Sequence, residues 1–247
     1  MSDTILILGA GSGMARAVGA TLAAQGHSLL LAGRDTADLQ RTAGDLGIRF
    51  GQTPQVLAFD AADLGSHAAF FDRCLQAARG ELQGVVLCYG LLAHRDQVSR
   101  DPALARRMID VNYTSPVVLL DMLAGYMEKR GRGYLCALSS VAGDRGRPSN
   151  YHYGATKAAL SAYLEGLRAR LFPAGVAVIT IKPGPVDTAM TWGLPKQPLV
   201  ASPQRVAADI CRAIRRRSSV VYTPWCWRPI MALIRAIPQP VFKRMKL

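Results

Sequence analysis

Tyr153 and Lys157 stand four residues apart in the run YHYGATKAAL (151–160), a spacing that puts two side chains on one face of a helix. The run from Tyr151 to Leu171 is rich in alanine and leucine and has no proline before Pro173, so a helix is expected there. Tyr151 lines up instead with Ala155, which offers no chemistry. A free phenol rarely exchanges a proton at neutral pH. An ammonium about 4 Å away, at an effective dielectric of about 20, favours the phenolate by roughly 4 kcal/mol, or about three pKa units. Tyr153 is then expected at about 7, where general acid–base chemistry works best. An interfacial tyrosine beside a solvated lysine has the same spacing, so the pair alone decides nothing.

The elements that must hold such a pair are legible as an alternation. Short apolar runs bounded by glycine, aspartate or proline predict strands at 4–8, 28–32, 55–59, 84–88, 133–138, 176–181 and 219–222. Helices are expected between them near 13–25, 36–46, 64–79, 102–129, 151–171 and 203–216. Asp101-Pro102 and Ser202-Pro203 each join an N-cap residue to a proline at the first helical position. Such alternation predicts an α/β fold, a doubly wound parallel sheet covered on both faces. Ligands bind these sheets at the carboxyl ends of the strands, where strand order reverses. Chemistry is therefore expected in the loops after the first, fourth, fifth and sixth strands.

Each of those loops carries suitable residues. After the first strand, GAGSGMA places Gly9, Gly11, Ser12, Gly13 and Met14 at the start of a helix, where glycines admit a pyrophosphate to amide donors. Met14 occupies the last glycine of Gly-x-Gly-x-x-Gly, and the spacing fits Gly-x-x-x-Gly-x-Ala through Ala15 instead. The second strand ends in Gly33-Arg34-Asp35. An arginine there favours a 2′-phosphate, whereas Asp35 could equally cap the next helix, so NADP(H) is expected over NAD(H). Asp60, followed by Ala61, could accept from an adenine amino group or cap a helix. Ser139 and Ser140 close the fifth strand, and KPGPVDT brings Pro183, Gly184, Val186 and Thr188 to the same mouth.

With 247 residues, half of them hydrophobic, the chain can bury one large core, and no linker or repeat divides it. The five cysteines lack any Cys-x-x-Cys spacing, which argues against a disulfide framework or a metal cluster and for a reducing, cytoplasmic setting. The N-terminus runs into TILILGAG without a basic region, so no secretory signal is expected, and no apolar stretch approaches the roughly 20 residues of a spanning helix.

The Gly9/Gly13/Ala15 loop, Asp60, VNYTSP, LSSVAG, YGATK and PGPVDT together resemble the short-chain dehydrogenase/reductase family over nearly the whole chain. The resemblance implies a single Rossmann-type domain and a tetrad of Asn112, Ser140, Tyr153 and Lys157. It selects Ser140 over Ser139, since the family's serine precedes the tyrosine by thirteen residues. It further implies that Ser140 and Tyr153 hold a substrate carbonyl, that Tyr153 donates the proton and that Lys157 holds the nicotinamide ribose. Asn112 is expected to anchor a water. Gly90, Tyr153, Lys157, the Val186 backbone and Thr188 are implied as cofactor contacts, and the helices near 102–129 and 151–171 as the faces that pair subunits in a homo-oligomer. Two departures stand out: Leu8 replaces a threonine, and Cys88-Tyr89-Gly90 replaces the usual Asn-Ala-Gly, with loss of supporting hydrogen bonds. More narrowly, YGLLAHRDQ, VNYTSPVVLL and RAIPQPVFKR resemble the reductases of decaprenylphosphoryl 2-keto-erythro-pentofuranose, which implies a lipid-linked keto-sugar substrate and a flavin oxidase upstream.

Of the net charge of +13, the segment from Arg205 onward supplies +9, with Asp209 its one acid. The stretch 225–247 mixes tryptophans and aliphatics with cations and reads either as a lid packed on the sheet or as a peripheral membrane anchor. A nucleic-acid binder would share the charge, but no recognition motif accompanies it. A regulator that only senses the dinucleotide would need neither Tyr153 nor Lys157. The Asp187–Ala201 loop is expected to close over substrate.

Overall fold

A strand that is apolar at every position needs cover on both faces, and β1 (Thr4–Leu8) and β5 (Tyr134–Leu138) are buried along their whole length. The computed structural model describes residues 3–192 and 198–245. With β2 (Ser28–Gly33), β3 (Gln55–Ala58), β4 (Leu82–Leu87), β6 (Ala177–Pro183) and β7 (Val220–Thr223), these strands form one parallel sheet in the order β3-β2-β1-β4-β5-β6-β7. Ile7 pairs with Leu31 on one side and Val86 on the other, so strand order reverses at β1 and the loops after β1 and β4 open side by side.

One face is covered by α1 (Gly13–Ala24), α2 (Thr36–Phe50) and α8 (Pro203–Arg215), through residues such as Leu22, Leu46 and Ile210. The other is covered by α3 (His67–Ala77), α6 (Ser115–Arg130) and α7 (Tyr151–Leu171). On α7, Leu160, Leu164, Leu167 and Leu171 recur at helical spacing and are all buried, each contributing about 1.5–3 kcal/mol. Tyr153, seven residues before Leu160, lies on the same face at the N-terminal end of the helix, where that face meets the mouth of the sheet.

The single helix expected at 102–129 is broken. After a short α4 (Arg95–Arg100), α5 (Pro102–Ile109) passes through a π-helical turn at Asp110–Thr114 into α6. Pro116 has no N–H to give to the Asn112 carbonyl four residues back, and the turn widens so that the Ser115 amide donates to the Asp110 carbonyl.

The C-terminal segment forms α9 (Trp227–Ala236) and α10 (Gln239–Phe242). The α9 face bearing Trp227 and Met231 packs on Val141, in the loop after β5. Arg145 in that loop donates through Nη1 to the carbonyls of Ile234 (2.6 Å) and Ile237 (2.7 Å), while its guanidinium lies 3.8 Å over the Phe242 ring. Nearby, the buried Asp144 accepts from Lys182 Nζ at 2.5 Å and the Tyr222 hydroxyl at 2.7 Å. Among the described residues no helix is long and apolar enough to cross a membrane.

Candidate active site

The loop after β5 separates its two serines by function. Ser139 is 3% exposed, donates to the Lys157 carbonyl at 2.9 Å and shares a hydrogen bond with Ser161, which fastens β5 to α7. Ser140 accepts from the Ala142 amide at 3.1 Å and faces the Tyr153 hydroxyl, on whose acidity it acts. Tyr151 lies outside, 45% exposed and stacked on His152. Lys157 Nζ donates to the Leu138 carbonyl at 3.0 Å and sits 5.7 Å above the Tyr153 ring. A Cβ on Gly90 would lie 3.3 Å from Asn112 Oδ1 and 3.4 Å from Lys157 Nζ, so the loop after β4 completes the cluster.

Asn112 is wholly buried, and its side chain is fully used. It donates to the Leu91 carbonyl (2.8 Å) and Thr156 (3.1 Å) and accepts from the Leu91 amide (2.6 Å), pinning the turn after Gly90. Pro116, four residues on, has no N–H to offer the Asn112 main-chain carbonyl.

The enclosing fold works against the value of about 7 expected for Tyr153 from spacing. Burial pushes it up to about 12, with Ser140 opposing, and burial brings Lys157 down to about 8. Helical spacing alone makes the ammonium a fixed, solvated charge beside the hydroxyl. In the fold that ammonium lies over the ring and is itself desolvated, so burial disfavours both charged forms.

Beside this cluster runs a cleft of about 600 Å³ lined by Gly9, Gly11, Ser12, Arg34, Asp60, Ala61 and Gly90 among others. Asp35 also reaches it, but its Oδ1 accepts from the Asp38 amide at 2.9 Å as the N-cap of α2. Asp60 Oδ1 accepts from the Ala62 amide at 3.0 Å, and Ser12 Oγ from the Ala15 amide at 3.2 Å. Gly13 and Met14 lie in the first turn of α1; the Met14 side chain packs into the core, which leaves only its backbone for a ligand. Pro183, Gly184, Val186 and Thr188 lie at the end of β6 and beyond it rather than on this cleft, with the Thr188 methyl 3.8 Å from a Cβ placed on Gly13. The base of the loop after β6 is closed by Asp187 N to Ala201 O and Ala201 N to Pro185 O, both 3.0 Å. Residues 193–197 of the loop expected to cover substrate lie outside the described residues.

Two features escaped the sequence reading. Arg16 donates through Nε to the Gly11 carbonyl at 3.2 Å while its other nitrogens bind Thr42 and Asp38, so it braces the glycine loop; a cation one turn into α1 was its signal. Tyr89, noted only as a departure, donates to or accepts from Ser115 (2.9 Å), which meets His67 Nε2 (2.7 Å), whose Nδ1 reaches the Asp63 carbonyl (2.8 Å). This buried chain supplies polar support that the missing asparagine would have given elsewhere. Its partners are far apart in sequence, so no local pattern reveals it.

A parallel doubly wound sheet with a glycine loop and a long cleft at its switch point, beside a Ser-Tyr-Lys cluster, defines a dinucleotide-dependent enzyme. The short chain dehydrogenase family model matches residues 3–198, and the chain belongs to that family. It is an NAD(P)-dependent oxidoreductase. An uncharacterized oxidoreductase of Mycobacterium tuberculosis is 35% identical, with 99% of each chain covered. One of Streptomyces coelicolor is 33% identical over 98% of this chain and 95% of its own. Among solved structures, a short-chain dehydrogenase from Sphingobium yanoikuyae in complex with NADPH shares the fold with a TM-score of 0.84, at 24% identity, covering 96% of this chain and 97% of its own.

Proposed function

We propose that the protein reduces a ketone to a secondary alcohol, with Tyr153 as proton donor, Ser140 as second donor to the carbonyl oxygen, Lys157 on the nicotinamide ribose and Asn112 as the residue that holds the turn after β4. The observation that carries this reading is that Ser140, at the carboxyl end of β5, acts on the Tyr153 hydroxyl while Lys157 sits above the same ring. A bound nicotinamide supplies a hydride to the carbonyl carbon. As negative charge grows on the oxygen, the hydroxyls of Ser140 and Tyr153 stabilise it, and Tyr153 passes its proton to the alkoxide, a stronger base than the phenolate left behind. A phenol at about 12 is in the donor form at neutral pH, so the free protein is set for reduction. Oxidation needs the phenolate and is expected to speed up as pH rises.

The reading also covers the cofactor contacts. Gly9, Gly11, Ser12 and Gly13 suit a pyrophosphate, with the Met14 backbone beside them; Asp60 and Ala61 suit the adenine; Gly90, Pro183, Gly184, the Val186 backbone and Thr188 suit the nicotinamide half. Arg34 faces the cleft while its neighbour Asp35 is engaged as a cap, which supports NADP(H). Arg34→Ala is expected to weaken NADPH binding about ten-fold or more and NADH binding little, as read by nucleotide fluorescence titration.

Lys157 yields a pH prediction. Its pKa of about 8 lies below the ordinary 10.5, so the ammonium is present below about 8 and is lost as pH rises through it. The kcat/KM for NADPH, which reports the free enzyme, is expected to fall about ten-fold per pH unit above that point. Lys157→Arg, whose charge persists, should flatten the limb; an unchanged limb in that variant would assign it to another group.

For the substrate we infer a keto-sugar on a polyprenyl phosphate, supported by YGLLAHRDQ, VNYTSPVVLL and the C-terminal RAIPQPVFKR. Self-association through α5 and α7 is supported by an apolar concavity of about 260 Å³ lined by Met108, Ile109, Tyr113 and Ala155. The test is NADPH oxidation against keto-sugars, fatty ketones and steroids. Turnover confined to water-soluble ketones would remove the lipid-linked substrate, and no turnover on any carbonyl would remove the reaction.

A further inference from the structure

The outward side of α9 leaves two cations unused. Arg228 and Arg235 are exposed and make no side-chain hydrogen bond or ion pair among the described residues. They lie two turns apart on one side of the helix, and with Val220, Tyr222 and Ala232 they line a concavity of about 270 Å³ where α9 meets the open edge of the sheet. Both guanidiniums act on the Tyr222 hydroxyl, opposing the burial and the Asp144 carboxylate that push it up to about 12.

The strand beneath them presents an unpaired edge. The carbonyls of Ser219, just before β7, and of Thr223 accept from Thr180 on β6 and Gly184 just after it, so by strand alternation the amides of Val220 and Tyr222, together with their carbonyls, point to the open edge. From Ile210 to the C-terminus the chain has nine lysines or arginines and no acid, so nothing on this segment competes for the arginines. Large apolar side chains are exposed along the same segment: Trp225 at 70%, Leu233 at 71% and Val241 at 54%. At about 3.6 residues per turn, Pro229, Ala232 and Ala236 form a small-residue strip with the arginine pair on one border and Leu233 on the other.

We propose that this face of α9 binds anionic phospholipid, with Arg228 and Arg235 taking the headgroup phosphate while Trp225 and Leu233 enter the boundary between headgroups and acyl chains. Guanidinium forks suit phosphate oxygens. A soluble phosphate would satisfy the arginines but leave the exposed tryptophan and leucine in water, whereas a bilayer surface takes both. The face opposite, with Trp227 and Met231, stays docked on Val141, so the helix binds without leaving the fold. This goes beyond the carbonyl-reductase reading and stands or falls apart from it.

The test is co-sedimentation of the full chain with phosphatidylcholine vesicles, with and without phosphatidylglycerol. Binding is expected only with phosphatidylglycerol, with a blue shift of tryptophan emission that Trp225→Phe removes. Arg228→Ala with Arg235→Ala should weaken binding about thirty-fold, the effect of two cations at a lipid surface. The same double variant should keep the parent's melting temperature and circular dichroism spectrum, which shows that it folds. Arg79→Ala with Lys129→Ala, which removes equal charge elsewhere, should cost far less. Equal loss in that control, binding unmoved by the arginine pair, or no binding to phosphatidylglycerol overturns the proposal. So does tight binding of inorganic phosphate, lost in the arginine double variant, without vesicle binding.

Discussion

Tyr153→Phe is expected to lower kcat for ketone reduction by about 10²- to 10⁴-fold, the usual contribution of a positioned general acid. The substitution keeps the ring on which Lys157 rests and removes only the hydroxyl that Ser140 faces. The hydroxyl is no part of the cleft formed by Gly9, Arg34 and Asp60, so NADPH affinity should change little. Stopped-flow reduction and fluorescence titration separate the two quantities. Ser140→Ala should follow in the same direction, because it removes a donor to the developing alkoxide, while Ser139→Ala should act on stability through the lost tie to the Lys157 carbonyl. Turnover preserved in Tyr153→Phe would transfer the proton to some other group and end the mechanism.

Gly9→Ala should cost about 2–5 kcal/mol of stability, the sum of a left-handed backbone strain and an overpacked contact. Gly9 has φ +73, and an added Cβ would meet the Tyr89 amide nitrogen and Cβ at 2.8 Å, with no flexible chain end to yield. Tyr89 is held from behind by Ser115 and His67, so the clash passes to the glycine loop. For a chain of this size the melting temperature should fall by about 5–15 °C, and NADPH should restore less of it than in the parent protein. Scanning calorimetry with and without nucleotide reads both. An unchanged melting temperature would mean that the loop after β4 shifts freely, against the buried hydrogen-bond chain.

Alternation of apolar runs with helical stretches determined the sheet, its parallel sense and the loops that open at its mouth, because strand and helix periodicities are local properties of the chain. The four-residue spacing likewise determined that Tyr153 and Lys157 share a face. Periodicity could not foresee the break at Asp110–Thr114, where one missing N–H at Pro116 overrode an otherwise continuous helical pattern.

Everything that depends on burial or on partners distant in the chain was decided by the tertiary structure. Ser139 and Ser140 are equivalent as letters; the fold sends one to Ser161 and the other to Tyr153. Tyr89 looked like a lost hydrogen bond until Ser115 and His67 were brought behind it. The C-terminal segment read either as a packed lid or as a membrane anchor; the fold packs Trp227 and Met231 on Val141 and leaves Leu233 exposed. The acidity of Tyr153 reversed for the same reason. Spacing along a helix reports which charges are neighbours, but only the enclosing fold sets how much water each has lost, and burial raised the pKa of the phenol while it lowered that of the ammonium.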